Sequence, residues 1–281
     1  MPSGRRQIWL CADDYGISRS VNAAIRELIL RGRLNATSVM VGAPHFDPAE
    51  AEALDMLNSG EKRVALGLHV TLTAPFKPVS EGYAPLHHGL FPSLPKMLRT
   101  AVARRLKSEP VLIEIGTQVE AFTMAFGRLP DFIDGHQHVH LFPQVRDAVL
   151  KIAAEAVPDA WVRQCGRPRA APRLHLQKEL LLDVLSLAFR RKARRLGVAT
   201  NPAFAGAYDF GGKRDYAAMF PKFLAGLPDG GLIMCHPGLV DAELKRLDPL
   251  THQRENEFAF FGSKAFPKLL AEHGVALATP K

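Results

Sequence analysis

Four apolar runs in this chain lead into residues that are out of place at the end of a buried strand. Ile8-Trp9-Leu10 runs through Cys11-Ala12 into Asp13-Asp14, and Val64 to Leu68 runs into His69. Phe132-Ile133 runs into Asp134-Gly135-His136, and Gly231 to Cys235 runs into His236. Burying a carboxylate without a partner costs several kcal/mol, so an Asp pair in such a position asks for a bound cation or a matching charge. The stretches between the runs have helical spacing. Val21, Ala24, Ile25, Leu28 and Ile29 recur on one face of a helix that Ser18 or Ser20 would cap and that runs to about Arg33. Further helices are expected from Asp47-Pro48 to Leu57, over Leu94–Lys107 and Val111–Phe126, from Pro143 to Ala156, and over Leu176–Leu196, Tyr216–Leu224 and Ser263–His273. Further strands are expected at Asn35–Val41, Trp161–Arg163 and Val275–Ala278.

Strands alternating with helices imply a mainly parallel α/β sheet. No internal repeat or linker divides the 281 residues, so a single domain over 1–281 is expected. Ligands of parallel α/β folds bind at the carboxyl ends of the strands. Asp13, Asp14, His69, His136, Arg163 and His236 all stand at or just past such ends. One carboxylate and two imidazoles leave open positions on a metal, and Asp14, His69 and His136 would make such a set. Asp13 would then be free to act as a base, His236 as a general acid, and Arg163 would pair with Asp13 and keep it ionised. Each residue also has a plainer reading. Adjacent aspartates serve as caps and turn formers, a lone strand histidine such as His69 is often a satisfied core residue, and His236 before Pro-Gly suits a turn. His136, His138 and His140 alternate, so in an extended chain they would share a face. His136, nearest the strand end, is the expected ligand; His138 and His140 would support it or touch substrate.

These pieces form a recognisable pattern. Ala12-Asp13-Asp14-Tyr15-Gly16-Ile17-Ser18 with Val21-Asn22, Gly67-Leu68-His69-Val70-Thr71-Leu72-Thr73, Asp134-Gly135-His136-Gln137-His138-Val139-His140-Leu141-Phe142-Pro143 and Cys235-His236-Pro237-Gly238 occur in one order across most of the chain. In this the chain resembles the YdjC-like carbohydrate deacetylases, a family that includes chitooligosaccharide deacetylases and a hopanoid-biosynthesis-associated branch. Tyr15 stands where phenylalanine is commoner. The resemblance implies a TIM-barrel-like (β/α) fold and a divalent ion, Mg or Zn, held by Asp14, His69 and His136. It also implies Asp13 as base, His236 as acid, and removal of the acetyl group from an N-acetylated amino sugar by attack of metal-bound water.

Composition limits the partners. Net charge is +8 and 23% of residues are charged, the basic ones gathered in a few segments. Leu180–Leu196 is apolar nearly all round and then strongly basic, which suits a packed helix with a solvated end or one that touches an anionic membrane carrying a lipid- or hopanoid-linked sugar. The Phe76–Pro95 loop, with Phe76, Tyr83, His87, His88 and Phe91, suits either a wall over the sugar or a solvated excursion. Cys11, Cys165 and Cys235 lack zinc-finger spacing and fit buried thiols of a reduced compartment. The polar Met1–Arg6 and the short run after it predict no signal peptide, and no run reaches membrane-spanning length. The expected location is cytoplasmic, with peripheral contact at the inner membrane surface, and a homodimer is one arrangement the sequence allows. A metal-dependent phosphoesterase is the alternative enzyme, but there is only one metal's worth of carboxylates and no phosphate-cradling glycine loop. Nucleic-acid binding through Arg190, Arg191, Lys192, Arg194 and Arg195 lacks any accompanying recognition motif.

Overall fold

β1 (Arg6–Tyr15) lies at the middle of a parallel sheet and is its longest strand. The computed structural model describes residues 4–61, 63–84, 86–168, 176–209 and 215–280. On one side of β1 follow β2 (Ala36–Val39), β3 (Ala65–Val70), β4 (Phe132–Gly135) and β5 (Trp161–Val162). On the other side come β6 (Phe204–Ala205) and β7 (Leu232–Cys235), with β7 next to β1. β8 (Val275–Leu277) pairs with the first residues of β1, and β7 takes over from Trp9. Every strand pairing is parallel. The sheet curls until its outer edges touch: Val162 N donates to Ala199 O (2.9 Å), and Phe204 N donates to Gly166 O (3.0 Å). The result is a TIM-barrel-like α/β fold: the alternation of elements predicted the parallel sheet, and the family resemblance implied the barrel-like curl.

All residues of β2, β3, β4 and β7 are buried, as expected of parallel strands covered on both faces. Where β8 leaves β1, Asn35 fills the gap in the ladder. Its side chain accepts from Leu10 N (2.7 Å) and donates to Ile8 O (3.0 Å) and Ala278 O (2.8 Å), which satisfies that buried amide.

The helices are α1 (Arg19–Leu30), α2 (Pro48–Asp55), α3 (Leu94–Val102), α4 (Ser108–Phe126), α5 (Val145–Ala156), α6 (Leu176–Arg195), α7 (Tyr216–Leu224), α8 (Ala242–Leu247), α9 (His252–Gly262) and α10 (Ala265–Glu272). Ser18 caps α1 through Val21 N, and Asp47 caps α2 through Glu50 N. The helix expected to reach Lys107 stops at Val102. Neither β6, α8 nor α9 was expected. β6 has only two residues, and the buried face of α9 includes Gln253, Arg254 and Glu257, so it carries no apolar period to read. The expected extended run over His136–His140 is also corrected. It forms tight 3-10 turns in which Gln137 and His138 have φ of 53° and 60°. Those residues leave extended geometry and the three imidazoles cannot share a strand face.

The loop after β3 is packed at its two ends, while its tip from Leu86 to Gly89, with His87 and His88, is exposed. Phe76, Tyr83 and Phe91 are buried, and the buried Glu114 of α4 accepts from Val79 N (3.0 Å) and Ser80 N (2.9 Å). Gly67 of β3 faces the ring of Phe132, and a Cβ there would stand 2.3 Å from the nearest ring atom. Gly67→Ala is therefore expected to destabilise the fold by about 1–3 kcal/mol, the usual cost of forcing extra volume into a filled core. Chemical denaturation would show a lower midpoint at unchanged slope.

Candidate active site

The carboxyl ends of β1, β3, β4 and β7 open on one cavity of about 530 Å³. Asp13, Asp14, His69, His136 and His236 line it, as do Lys178 of α6 and residues 248–253. The end of β1 is shaped for this. Its pairing with β2 shifts register between Ala12 and Tyr15, and Asp14 sits at φ 69°, which aspartate tolerates better than most residues. Gly16 follows at φ 104°; there a Cβ would stand 2.9 Å from the Cβ of Phe46. Asn22 accepts from Gly16 N (2.6 Å) and donates to His45 O (3.0 Å), which ties the turn to α1. The Tyr15 hydroxyl donates to Glu50 (2.9 Å) and accepts from Arg26 (2.7 Å), so the tyrosine adds a polar anchor under the turn.

The two aspartates have different surroundings. Asp14 Oδ1 lies 2.9 Å from His136 Nδ1 and 3.2 Å from His69 Nε2, while Arg254 of α9 donates to Asp14 Oδ2 (2.6 Å). Burial works to raise Asp14, but Arg254, His136 and His69 outweigh it and hold its carboxyl well below the usual carboxylate range. Asp13 is gripped by both Nη atoms of Arg163 at 2.7 Å each. Burial raises Asp13, and the Arg163 guanidinium opposes that rise. Arg163 Nη2 also lies 2.5 Å from Asp134 Oδ2 and 3.0 Å from Cys11 Sγ. Asp134 Oδ1 is 2.6 Å from His69 Nδ1, which directs the Nε2 of that ring toward Asp14. For His69, burial opposes the charged form, but Asp134, Asp14 and Asp13 outweigh it and push the imidazole up to about 10.

Two groups of side chains have the composition and proximity of metal ligands. One ligand atom each from Asp14, His69 and His136 lie within 4.8 Å of one another, and so do those of Cys11, Asp13 and Asp134. The second group already holds a cation, because the guanidinium of Arg163 touches all three. The first fits a divalent ion by its donors, one carboxylate oxygen and two imidazole nitrogens. Three buried carboxylates, Asp13, Asp14 and Asp134, face two buried arginines and the imidazole of His69, whose raised affinity for a proton marks a place where positive charge is favoured.

His236 reaches the same cavity from the end of β7. Its backbone N donates to Glu257 Oε2 (2.5 Å), and Tyr208 donates to Glu257 Oε1 (2.5 Å). Burial pushes Glu257 up to about 7, and burial also pushes His236 well below the ordinary histidine range, so its imidazole is neutral at rest. His138 also lines the cavity, at the side of Cys165, whereas His140 turns away from it. His140 Nε2 lies 2.9 Å from the carbonyl of Arg163, and His138 Nδ1 lies 3.5 Å from Cys165 Sγ. Burial lowers both, His140 to about 3. All three thiols are buried and raised by that burial, so none is a reactive nucleophile. Phe76 packs edge-on to His136 at 5.5 Å between ring centroids and so backs that imidazole, but of the Phe76–Pro95 stretch it is Leu94 that lines the cavity.

Sequence reasoning missed Arg254, Asp248 and Glu257. Arg254 is fully buried and its Nη2 also meets Asp248 (2.7 Å), yet it stands in the polar stretch Thr251-His252-Gln253-Arg254-Glu255-Asn256, which carries no signal. Asp134 had one, a carboxylate beside the Gly-His-Gln-His run.

Comparison with known proteins gives a consistent picture. Residues 7–272 match the family described as YdjC-like protein. The chitooligosaccharide deacetylase of Serratia marcescens is 30% identical over 278 residues, covering 95% of each chain. That of Proteus mirabilis is 29% identical over 273 residues, again 95% of each. Among solved structures, a protein of Enterococcus faecalis V583 provisionally described as a cellobiose-phosphate cleavage protein superposes with a TM-score of 0.72. It shares 21% identity, with 98% of each chain covered, and so speaks for the fold.

Replacing Arg163 by methionine would leave Asp13 and Asp134 buried without their countercharge. Arg163→Met is expected to cost about 3–5 kcal/mol. Arg163→Lys recovers only part of that, since an ammonium cannot grip a carboxylate with two parallel bonds. Denaturant titration of the three proteins measures both effects.

Proposed function

This chain belongs to the YdjC-like family, and from that premise we propose that it is a metal-dependent deacetylase of an N-acetylated amino sugar. The observation that carries the reading is the meeting of Asp14, His69 and His136 within 4.8 Å, in the cavity that Asp13 and His236 also line. The names of the relatives at 29–30% identity over 95% of their length support the same reaction.

In this proposal a divalent ion, Mg or Zn, is held by Asp14, His69 and His136, and when bound it polarises the acetyl carbonyl and lowers the pKa of water. Asp13 takes one proton from the water that attacks the carbonyl carbon. The two bonds from Arg163 hold its carboxylate in place, and burial makes it a stronger base than an exposed aspartate. His236 takes a proton from solvent as negative charge builds beside it and passes that proton to the departing nitrogen. The C–N bond breaks, leaving the free amine and acetic acid, which loses its proton to solvent as acetate. Asp13 gives its proton back to solvent, and His236 is already neutral. The carbonyl of Arg163, held by His140, and the backbone of His236, held by Glu257, keep both proton carriers in position. Asp134 fixes the His69 ring.

The sugar would lie in the cavity lined by residues 248–253, Lys178 and Leu94. A lipid- or hopanoid-linked amino sugar is the finer form of the substrate proposal. Free amine released from N-acetylglucosamine oligomers, their diphosphate-linked counterpart and glycosylated hopanoids ranks these candidates, with phosphate release measured beside it.

Two outcomes are expected. Asp13→Asn keeps divalent-ion binding, measured by calorimetry, and loses roughly a hundred- to ten-thousand-fold in turnover. His69→Ala loses both ion binding and turnover. Amine release that persists after complete chelation overturns the mechanism.

A further inference from the structure

Beyond the reaction, α6 carries a surface that the cavity does not use. Leu180, Val184, Leu187, Arg191 and Arg195 follow one another at three- and four-residue steps, so they share one face of the helix. Leu180, Leu181, Val184 and Leu187 are 52%, 42%, 60% and 46% exposed. Thirteen large apolar side chains are exposed among the described residues, and four of them fall within these eight positions of one helix. Chance scatter over the surface would not gather them so. The opposite face, with Leu182, Leu185, Phe189 and Ala193, packs into the core, so the helix is already anchored and its outer stripe is surplus to folding.

The stripe then turns basic without leaving the face. Arg190, Arg191, Arg194 and Arg195 are exposed, and none pairs with a carboxylate among the described residues. The acids of α6 are engaged elsewhere: Asp183 meets Arg167 at 2.8 Å, and Glu179 is buried beside the same guanidinium. Arg104 and Arg146, from the segments around α3 and α5, border the same basic end, and the single carboxylate there, Asp147, is taken up by Lys192 at 2.7 Å.

From this we infer that α6 docks the protein on an anionic lipid bilayer. The exposed leucines and valine enter the headgroup boundary, and the arginines meet lipid phosphates. Only a bilayer offers apolar depth and fixed negative charge side by side. A second copy of this chain would set the same four arginines against a basic end whose carboxylate, Asp147, is already held by Lys192. Among the described residues no helix is long and apolar enough to cross a membrane, so the contact is peripheral. The helix also joins this surface to the cavity, because Lys178, two residues before Leu180, lines it. The docking itself stands apart from the proposed reaction and is tested without it.

The full chain is floated with phosphatidylcholine vesicles that contain or lack phosphatidylglycerol, at low and high salt, beside sedimentation of the protein alone. The expected result is flotation with the anionic vesicles only, weakened by salt. It is reduced about tenfold or more both in Arg191→Ala with Arg195→Ala and in Val184→Ser with Leu187→Ser. All four positions are solvent-facing, so unfolding transitions should match the parent. Absence of flotation with anionic vesicles at low salt overturns the inference. So does equal flotation with neutral vesicles, or flotation indifferent to both double variants. A concentration-dependent dimer that Val184→Ser with Leu187→Ser abolishes, without vesicle binding, would reassign the face to self-association and overturn it as well.

Discussion

Three carboxylates buried at the ends of neighbouring strands set the terms for the rest of this molecule. Asp13, Asp14 and Asp134 are each 2% exposed or less, and an uncompensated charge in such a place costs several kcal/mol. The compensation comes from two fully buried arginines that reach the site from distant parts of the chain. Arg163 follows β5, and Arg254 lies on α9, beyond β7. The charges can be neutralised only when the curled sheet brings these segments together. The fold and the site are therefore stabilised by the same bonds, and neither is expected to form without the other.

Adjacent aspartates in a regular strand would point to opposite faces. Here the register shift at the end of β1 and the positive φ of Asp14 let both carboxylates serve one cavity, each with a separate partner. Asp13 is held by a guanidinium that opposes the rise burial imposes on its carboxyl. Asp14 has one oxygen on Arg254 and the other facing two imidazoles. In the proposed reading Asp13 is a spare base beside a ligand set, and that arrangement follows from one kink in one strand. The surrounding hydrogen bonds serve geometry more than chemistry. Asp134 sets the His69 ring, His140 holds the Arg163 carbonyl, and Glu257 holds the backbone of His236.

The readable parts of this sequence were those with a period or a short motif. Buried apolar strands such as β3 and amphipathic helices such as α1 declare themselves through the spacing of their side chains, and the residues just past strand ends pointed to the cavity. His138 and His140 were misjudged because alternation implies a shared face only in an extended chain, and the backbone there curls into 3-10 turns. The loop after β3 looked equally suited to solvent and to packing until Glu114, some thirty residues later, was seen to hold its backbone. α9 escaped notice because its buried face opens with the polar Gln253, Arg254 and Glu257 and turns apolar only at Phe260 and Phe261.

By itself, then, the sequence determined the parallel α/β class, the strand ends where polar chemistry gathers, and the candidate set Asp13, Asp14, His69, His136 and His236. Those properties reside in local pattern, which an unfolded chain already contains. Only the tertiary structure decided which carboxylate meets which cation, which of three histidines faces Asp14, and that Arg254 belongs to the site at all. Such pairings join residues as far apart as 240 positions. Their energy depends on burial and distance, quantities that exist only once the sheet has curled and water has been excluded.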